Sequence, residues 1–323
     1  MKKLLKVILP FSLLALAACG PGDTPPQTPD VPVKVVSAPA FNQDSAYSYV
    51  EKQVSFGPRV PNTKAHVDCK NYLVSKLQQF TDTVIVQTGQ VMTFDNRNLT
   101  IFNIIGRLYP KAESRVMLFA HWDSRHVADQ DTERRNEPIL GANDGASGVG
   151  VLLEMARIMH EKNPGIGVDI IFFDAEDQGE PTGQYQDSYC LGTQYWAKNP
   201  PIPFYKPQYG ILLDMVGGKN AKFYKEAGSA GFVVEKVWTK ASQLGYADYF
   251  VNSQRAAIID DHYYVIQMTG IPCIDIIQYE ESSNSRFPSY WHTHKDDMSA
   301  VDKNTLKAVG QTLLDVVYNE NPL

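Results

Sequence analysis

Residues 116–123 read Val116-Met117-Leu118-Phe119-Ala120-His121-Trp122-Asp123, a short apolar run that leads directly into a histidine and an acid. A second apolar run, Ile170 to Phe173, is followed at once by Asp174-Ala175-Glu176-Asp177. Short apolar runs without alternation are typical of strands that are buried on both faces of a parallel sheet. The two stretches therefore predict central strands with polar residues at their carboxyl ends.

Strands alternate with helices along the rest of the chain. Hydrophobic periodicity predicts strands over residues 83–94, 99–108, 116–120, 168–173, 209–215 and 273–277. It predicts helices over residues 44–56, 62–80, 145–162, 231–244 and 304–318. Such alternation indicates an α/β fold of three layers, αβα, with a mostly parallel, twisted central sheet. In such sheets ligands bind beyond the carboxyl ends of the strands.

The N-terminus has the pattern of an export signal. A Lys-rich start and an apolar run, typical of a secretory signal peptide, lead to Leu16-Ala17-Ala18-Cys19, which resembles a bacterial lipobox with Cys19 as the lipidated residue. Residues 19–40 are rich in proline, which favours an extended tether. We therefore predict a lipoprotein signal peptide over residues 1–18, a tether over 19–40 and one domain over 41–323. The lipid alone would hold the protein at the bacterial cell envelope, facing the periplasm or the cell exterior.

The composition excludes several functional classes. The 323 residues are 43% hydrophobic and carry a net charge of −6, which disfavours a nucleic-acid partner because phosphate binding requires a basic surface. The cysteines of the domain, Cys69, Cys190 and Cys273, lack the Cys-x-x-Cys spacing of a thiolate zinc site. Whether two of them pair stays open, as does the oligomeric state.

The residues that follow the predicted strands are of the types that bind a divalent metal. They are His121, Asp174, Glu176, Asp177 and Asp214, joined by Asp144 before a predicted helix and His292 near the C-terminus. Imidazole nitrogen and carboxylate oxygen are zinc ligands, and a catalytic zinc keeps one position open for water or substrate. Singly, each residue also has an ordinary structural role, such as helix capping by Asp144. Their joint placement predicts a zinc site.

Five motifs in this order resemble the zinc aminopeptidase superfamily and its relatives, the animal-type glutaminyl cyclases. They are His121-Trp122-Asp123, Asn143-Asp144-Gly145-Ala146-Ser147-Gly148, Phe173-Asp174-Ala175-Glu176-Asp177, Leu213-Asp214 and His292-Thr293. The resemblance covers about residues 44–320 and implies the zinc aminopeptidase-like form of the three-layer fold.

The resemblance implies one of two enzymes. A glutaminyl cyclase would convert N-terminal glutamine of peptides or proteins to pyroglutamate and release ammonia, using one zinc on Asp144, Asp177 and His292. A co-catalytic aminopeptidase would bind two zinc ions, with His121 and Asp214 holding the second ion and Asp144 bridging. Glu176 would be the proton-transfer residue in either enzyme.

Several residues favour the cyclase. Ile259-Asp260-Asp261-His262 and Tyr290-Trp291-His292-Thr293 look like the cyclase pattern, and related peptidases tend to have Ser before Asp-His. The resemblance implies proton-holding roles for Asp260 and Asp214, and a substrate pocket that includes Trp291, Asp275 and Tyr185. The sequence departs from the animal enzymes at two positions. Asp177 stands where they have a second glutamate, and Asp275 lies where the corresponding strand of those enzymes bears a histidine.

Some of these residues also have structural alternatives. Asp260 and Asp261 could be a solvated helix cap before His262, and Trp291 could be a core aromatic. We expect the pairs Asp296-Asp297 and Arg134-Arg135 to be solvated loop charges.

Overall fold

The structure is a computed structural model that describes residues 36–182 and 184–320. The predicted signal peptide, Cys19 and most of the predicted tether lie outside the described residues. Residues 36–40, assigned to the tether, run along the domain: Val36 and Asn319 exchange hydrogen bonds, and the carbonyl of Pro39 accepts one from Gln311. The packed domain therefore begins at about Val36, a few residues before the predicted boundary.

A six-stranded sheet forms the middle layer, in the order β1-β2-β4-β3-β5-β8. Its strands are β1 (Thr83–Met92), β2 (Asn98–Leu108), β3 (Arg115–His121), β4 (Gly167–Phe173), β5 (Gly210–Asp214) and β8 (Cys273–Ile277). Strands β4, β3, β5 and β8 are parallel to one another, whereas the β1–β2 hairpin joins the edge in antiparallel register. A separate two-stranded parallel sheet consists of β6 (Phe223–Glu226) and β7 (Phe250–Arg255).

Within the described ranges, seven helices cover the large sheet. They are α1 (Gln43–Val54), α2 (Lys64–Phe80), α3 (Ala146–Glu161), α4 (Leu191–Lys198), α5 (Gly231–Gln243), α6 (Asp261–Thr269) and α7 (Lys303–Tyr318). Alternate residues of β3 point to opposite faces: Leu118 belongs to the core under α1, α2, α3, α5 and α7, and Phe119 to the core under α4 and α6. The predicted three-layer αβα fold is confirmed.

Helix α3 lies unusually close to the sheet. A Cβ atom on Gly148 would stand 2.2 Å from the carbonyl oxygen of Leu213 in β5, and one on Gly145 would stand 2.4 Å from Nε2 of His121. Glycine is therefore required at both positions, because no larger residue permits the approach. This contact brings the start of α3, and Asp144 before it, against the carboxyl ends of β3 and β5.

The order in which the chain adds parallel strands to the sheet reverses next to these strand ends. It passes from β3 to β4 through α3, and then returns across β3 to β5. A crevice at such a reversal is where α/β sheets bind their ligands. No helix among the described residues has the length and hydropathy needed to cross a bilayer.

Candidate active site

A cavity of about 230 Å³ opens at the carboxyl ends of the parallel strands. Its polar lining consists of Asp144, Glu176, Asp177, Asp214, Asp260 and His292. Its remaining lining is Tyr189, Met215, Ile258, Ile259, Ile277, Phe287 and Trp291. The structure thus brings these six polar residues and Trp291, all singled out in the sequence, into one apolar-walled pocket.

Asp144, Asp177 and His292 converge at the floor of this cavity. Nε2 of His292 lies 3.2 Å from Oδ1 of Asp177 and 3.7 Å from Oδ2 of Asp144. All three residues are at most 4% exposed, and Oδ2 of Asp177 has no hydrogen-bond partner among the described residues. Two carboxylates and an imidazole at this spacing fit a zinc ion with an open coordination position. Asp144 does not cap α3, since its side chain faces the two histidines of the site.

Two charged residues that do not line the cavity, Arg125 and Asp129, orient Asp177 and His292. Nη1 of Arg125 donates to Oδ1 of Asp177 at 2.9 Å, and Nε of Arg125 donates to Oδ1 of Asp129 at 2.5 Å. The same Asp129 oxygen lies 3.2 Å from Nδ1 of His292. Burial opposes ionisation of Asp129, but His292 and Arg125 outweigh it and lower the pKa of its carboxyl. A carboxylate on the far nitrogen of a metal-binding histidine fixes the tautomer and aims the ring.

Asp296 holds the loop that carries Asp144. Its two carboxyl oxygens accept the backbone N–H groups of Asn143 at 2.7 Å and Asp144 at 3.1 Å. The residue is fully buried, so its predicted role as a solvated loop charge is wrong. Burial and the neighbouring Asp144 raise the pKa of Asp296 to about 8. The exposed pair of Arg134 with Glu137 does match the prediction for that loop.

Glu176 stands at a sharp turn after β4. Ala175 takes the left-handed conformation, with φ of 51°, and the Glu176 N–H donates to Oδ1 of Asp123 at 3.0 Å. Burial raises the pKa of Glu176 well above its usual range, and nearby carboxylates, Asp177 first, add to the effect against the attraction of His121. Such a carboxyl holds its proton more tightly than an ordinary glutamate, which suits a general acid–base group.

His121 bridges two acids of the site. Its Nε2 lies 2.9 Å from Oδ1 of Asp144 and 3.2 Å from Oδ1 of Asp214. Burial disfavours the imidazolium, but Asp123, Asp144 and Asp214 together raise the pKa of His121 well above its usual range. Burial also raises the pKa of Asp214, to about 6.

The sequence and the fold were compared with known proteins. Residues 103–317 match the model of peptidase family M28. The chain belongs to peptidase family M28. It is 25% identical to the glutaminyl-peptide cyclotransferase of Drosophila melanogaster over 77% of this chain and 73% of that protein.

Two solved structures share both the fold and about half of the sequence. A Zn-dependent exopeptidase from Parabacteroides distasonis is 54% identical, with a TM-score of 0.86 over 88% of this chain and 100% of that one. The glutaminyl cyclase of Tannerella forsythia is 52% identical, with the same TM-score and the same coverage. These similarities confirm the resemblance on which the fold and enzyme predictions were based, and they support zinc as the metal of this M28 chain.

Asp260 both caps a helix and lines the cavity of this M28 site. It is the N-cap of α6, where its Oδ1 accepts the Asp261 N–H at 2.5 Å. It is also 4% exposed and lines the cavity, so it is not a solvated cap. Burial and the charge of Asp214 raise the pKa of Asp260 to about 7.

The aromatic wall differs in part from the prediction. Trp291 lines the cavity and stacks on His292, with ring centroids 3.6 Å apart. Tyr185 does not reach the cavity; it is 60% exposed and lies in a surface groove beside Met92 and Leu191. Tyr189, four residues later, lines the pocket instead, because the turn after Tyr185 carries that residue away from the strand ends.

Asp275 also lies outside the cavity. It is fully buried in the middle of β8, near His262 and Asp260, and does not contribute to the pocket wall. Ile277, two residues later on the same face of β8, does line the cavity, so Asp275 lies deeper along the strand than the pocket wall.

Sequence reasoning missed the residues that support the M28 site. Arg125, Asp129 and Tyr189 lie in loops without periodicity, so no local signal marked them. His66 in α2 is a further case: its Nε2 lies 2.9 Å from Asp174, whose carboxyl also accepts the Ala175 N–H. This buried pair anchors the turn that presents Glu176.

Proposed function

We propose that this chain is a glutaminyl-peptide cyclotransferase that uses one zinc ion and acts on peptides or proteins with an N-terminal glutamine. The observation that carries the proposal is the pairing of a partly buried carboxyl, Glu176, with a buried one, Asp260, in one cavity. Oxygens of Glu176 and Asp260 lie within 4.8 Å of each other, and burial favours the protonated form of both. The names of the Drosophila and Tannerella relatives support the same activity.

The reaction transfers one proton from one nitrogen to another. The α-amine of the substrate attacks the carbon of its own side-chain γ-amide, a new C–N bond closes the lactam ring, and the amide C–N bond breaks. The amine loses a proton and the departing nitrogen gains one, so that ammonia leaves. When held by Asp144, Asp177 and His292, zinc supplies Lewis acidity toward the γ-amide oxygen.

Glu176 is placed to carry this proton. Its raised pKa makes the carboxylate a stronger base than an ordinary glutamate, so that it can accept the proton from the amine and return it to the leaving nitrogen. Burial raises the pKa of both Asp260 and Asp214, and the charge of Asp214 adds to the effect on Asp260, because two nearby carboxylates do not both ionise easily. The member of this pair that retains a proton can donate a hydrogen bond to the departing amide nitrogen.

The pocket walls favour a folded substrate side chain. Trp291, Ile258 and Phe287 enclose a small apolar space beside the acids. Such a wall excludes water and holds the α-amine of the substrate near the amide of its flexible side chain. The folded conformer, which is rare in solution, is then the one that binds. Exclusion of water also disfavours hydrolysis, the reaction of the related peptidases.

One zinc ion is consistent with the position of His121. An imidazolium between Asp144 and Asp214 supplies the positive charge that a second ion would otherwise bring. A di-zinc aminopeptidase is the second candidate, because ligand atoms of His121, Asp144 and Asp214 also lie within 4.8 Å of one another. The exopeptidase name of the Parabacteroides relative supports that alternative.

The two candidates separate in one experiment. Purified protein is incubated with a glutamine-initiated and a leucine-initiated dipeptide, and ammonia, pyroglutamyl product, free leucine and bound zinc are measured. The proposal expects ammonia and pyroglutamyl product from the first substrate only, with one zinc in Asp144, Asp177 and His292. Free leucine without ammonia, and a zinc equivalent that is lost in His121→Asn, would select the aminopeptidase.

We also propose that Cys19 carries a lipid that anchors the enzyme at the cell envelope. The lipobox-like Leu16-Ala17-Ala18-Cys19 and the proline-rich segment after it support this. Wild-type protein expressed in bacteria should enter the detergent phase in phase partitioning, whereas Cys19→Ser should stay in the aqueous phase. Equal partitioning of the two would contradict the anchor.

A further inference from the structure

One surface loop carries an almost fully exposed aromatic side chain. Residues 199–209 connect α4 to β5, and Phe204 in the middle of this loop is 98% exposed. Phe204 has a φ of 54°, which is uncommon for a bulky residue and persists only where the surroundings hold it. Packing within the domain therefore does not explain why an aromatic residue stands at this position.

The neighbours of Phe204 hold the loop in place. Ile202 and Tyr205 pack against the core under α4 and α6, and the rings of Tyr205 and Trp196 have centroids 5.9 Å apart. Pro203 directly precedes Phe204, and its ring fixes its own φ. The loop is thus anchored on both sides of the exposed ring. Little conformational entropy would be lost if Phe204 entered a partner surface.

Two further apolar side chains are exposed near this loop. Phe204 borders a cleft of about 210 Å³ whose lining includes Ile271. Met268, near the end of α6 and three residues before Ile271, is 37% exposed. Phe232, at the start of α5, is 58% exposed, and its ring meets the ring of Tyr209 edge-on with centroids 6.4 Å apart. Phe204 is therefore part of a wider apolar surface.

This apolar surface lies at the edge of the sheet where the parallel strands begin. The N–H of Gln208, near the end of the loop, donates to the carbonyl of Arg115 at the start of β3 at 2.8 Å. The N–H of Ala230, directly before α5, donates to the carbonyl of Cys273 at the start of β8 at 2.8 Å. Helix α6 ends here too, because β8 begins shortly after it. The active-site cavity opens at the other edge of the sheet, where the strands end.

The chain enters the domain at the same edge as the apolar surface. Lys162 follows α3, shortly before β4 begins at Gly167, and its Nζ donates to the carbonyl of Ser37 at 3.4 Å. Ser37 therefore lies beside the strand starts. The segment that carries the lipobox-like residues 16–19 is joined to the domain at this edge.

The exposed loop is basic, although the chain has a net charge of −6. Residues 197–208 include Lys198 and Lys206, both exposed, and contain no Asp or Glu. Glu320, an acid at the same edge, lies 2.5 Å from Nζ of Lys236, which compensates its charge. Lysines beside exposed apolar side chains are the combination that binds a membrane surface with anionic lipids.

We propose that Phe204, Met268 and Phe232, together with Lys198 and Lys206, form a surface that docks on a bilayer containing anionic lipids. Phe204 enters the headgroup region, and the two lysines contact lipid phosphates. In this orientation the cavity faces away from the bilayer, where the N-termini of dissolved peptides and proteins reach it. No residue of this surface lines the active-site cavity, so the proposal is independent of the cyclase reaction.

Quenching by brominated lipid tests the contact. Full-length protein with Phe204→Trp is mixed with phosphatidylcholine vesicles that contain phosphatidylglycerol and brominated acyl chains, and lipid is added until the signal is constant. Three of the four native tryptophans are at most 4% exposed and the fourth lines the cavity, so the new emission is obtained by subtracting the wild-type signal. We expect this emission to move to shorter wavelength and to be quenched by bromine.

Met92→Trp is the matched control for position. Met92 is 58% exposed, but it ends β1 at the edge of the sheet where the cavity opens. A tryptophan there should keep its emission on the same vesicles. Equal quenching at positions 92 and 204, or no quenching at either, would overturn the proposal.

Partitioning between water and vesicles gives a second readout. In full-length Cys19→Ser protein, which lacks the proposed lipid, Phe204→Ser should lower the partition coefficient by about tenfold, and Met92→Ser should not change it. Lys198→Gln combined with Lys206→Gln should weaken binding to vesicles with phosphatidylglycerol and leave binding to phosphatidylcholine alone unchanged. A dimer in sedimentation without lipid, dissociated by Phe204→Ser, would assign the surface to a second copy of the chain and contradict the membrane contact.

Discussion

At the scale of single residues, burial decides which carboxyls hold protons. Glu176, Asp214 and Asp260 share one cavity, and burial is the largest factor that raises the pKa of each. Asp129 lies close by, yet the pKa of its carboxyl is lowered, because Arg125 and His292 contact it directly. The carboxyls of this region therefore fall into two groups: those that can carry a proton, and those that stay charged and hold neighbouring residues in place.

Replacing Glu176 by Gln tests its role as a proton carrier. The substitution keeps the size of the side chain and removes its ability to accept a proton, so we expect kcat to fall by about 10²–10⁴-fold. Bound zinc and the circular dichroism spectrum should not change, and the surface change Glu133→Gln should leave kcat at the wild-type value. A Glu176→Gln enzyme with full turnover would falsify this assignment.

Replacing Arg125 by Met tests the network behind the zinc ligands. Arg125 is fully buried between Asp129 and Asp177, and removal of one partner of a buried ion pair typically costs about 3–5 kcal/mol. We expect a loss of that size in the free energy of unfolding, measured in urea, together with weaker zinc binding. Arg134→Met, at an exposed pair with Glu137, should change stability by less than about 1 kcal/mol. Equal effects of the two changes would contradict the network.

At the scale of elements, the segments that carry the site leave their strands and loops at strained turns. Ala175 after β4, Met215 after β5 and His292 in the loop after β8 all have positive φ, at 51°, 47° and 54°. Such conformations cost of order 1 kcal/mol or more for residues other than glycine, and they persist where the surroundings hold them. His66 and Asp174 supply that hold beside Ala175, which lets a short turn aim Glu176 into the cavity.

The packing of α3 on β5 gives a prediction at the same scale. Gly148→Ala would place a methyl group 2.2 Å from the Leu213 carbonyl oxygen, so α3 must shift, at a cost of about 1–3 kcal/mol. The shift would also displace Asp144, and we expect activity to fall with stability. Gly231→Ala is the matched control, because its Cβ meets nothing within 4 Å; it should leave stability unchanged or slightly raised. Urea unfolding of both variants measures the difference.

At the scale of the whole molecule, stability should depend on pH and zinc together. Burial and neighbouring charges raise the pKa of Asp214 to about 6, of Asp260 and Asp261 to about 7, and of Asp296 to about 8. In the unfolded chain these carboxyls release their protons near pH 4. Between pH 4 and 8 the folded state therefore binds more protons, and the free energy of unfolding falls as pH rises.

Unfolding in urea at several pH values measures this dependence. In chelator we expect stability to decrease from pH 5 to pH 8, by at most about 1.4 kcal/mol per pH unit for each carboxyl. Zinc should flatten the slope, because neutralising Asp144 removes repulsion from Asp214 and Asp296. His126, whose pKa burial lowers to about 4, acts in the opposite sense below about pH 6.5. Stability that rises from pH 5 to pH 8 in chelator would contradict this account.

The buried cysteines are a further property of the whole domain. Cys69, Cys190 and Cys273 are free and fully buried, which answers the question of pairing that the sequence left open. Burial raises the pKa of the Cys69 thiol to about 12. Among these three cysteines, Cys190 lies next to a residue of the active site, because its sulfur is 3.5 Å from Oε1 of Glu176. The thiols therefore act as core residues.

The long elements could be predicted from sequence because their signals are local. Helices α1, α2, α3, α5 and α7 and strands β1 to β5 and β8 lie within a few residues of their predicted bounds. The prediction omitted α4, α6, β6 and β7, which are short and owe their conformation to packing on other elements. Site acids at strand ends were also predictable, because the carboxyl ends of parallel strands meet at one edge of the sheet.

The amino-acid sequence by itself determined the three-layer fold and the set of acids and histidines that meets at its strand ends, since periodicity and strand order are properties of neighbouring residues. Only the tertiary structure decided that Asp296 is buried against the Asp144 loop, that Arg125 pairs with Asp177, and that Tyr189 rather than Tyr185 lines the pocket. It alone placed Asp275 in the middle of β8, beside His262 and outside the cavity. The burial and pairing of a charge depend on residues far away in the chain, and no local pattern encodes them.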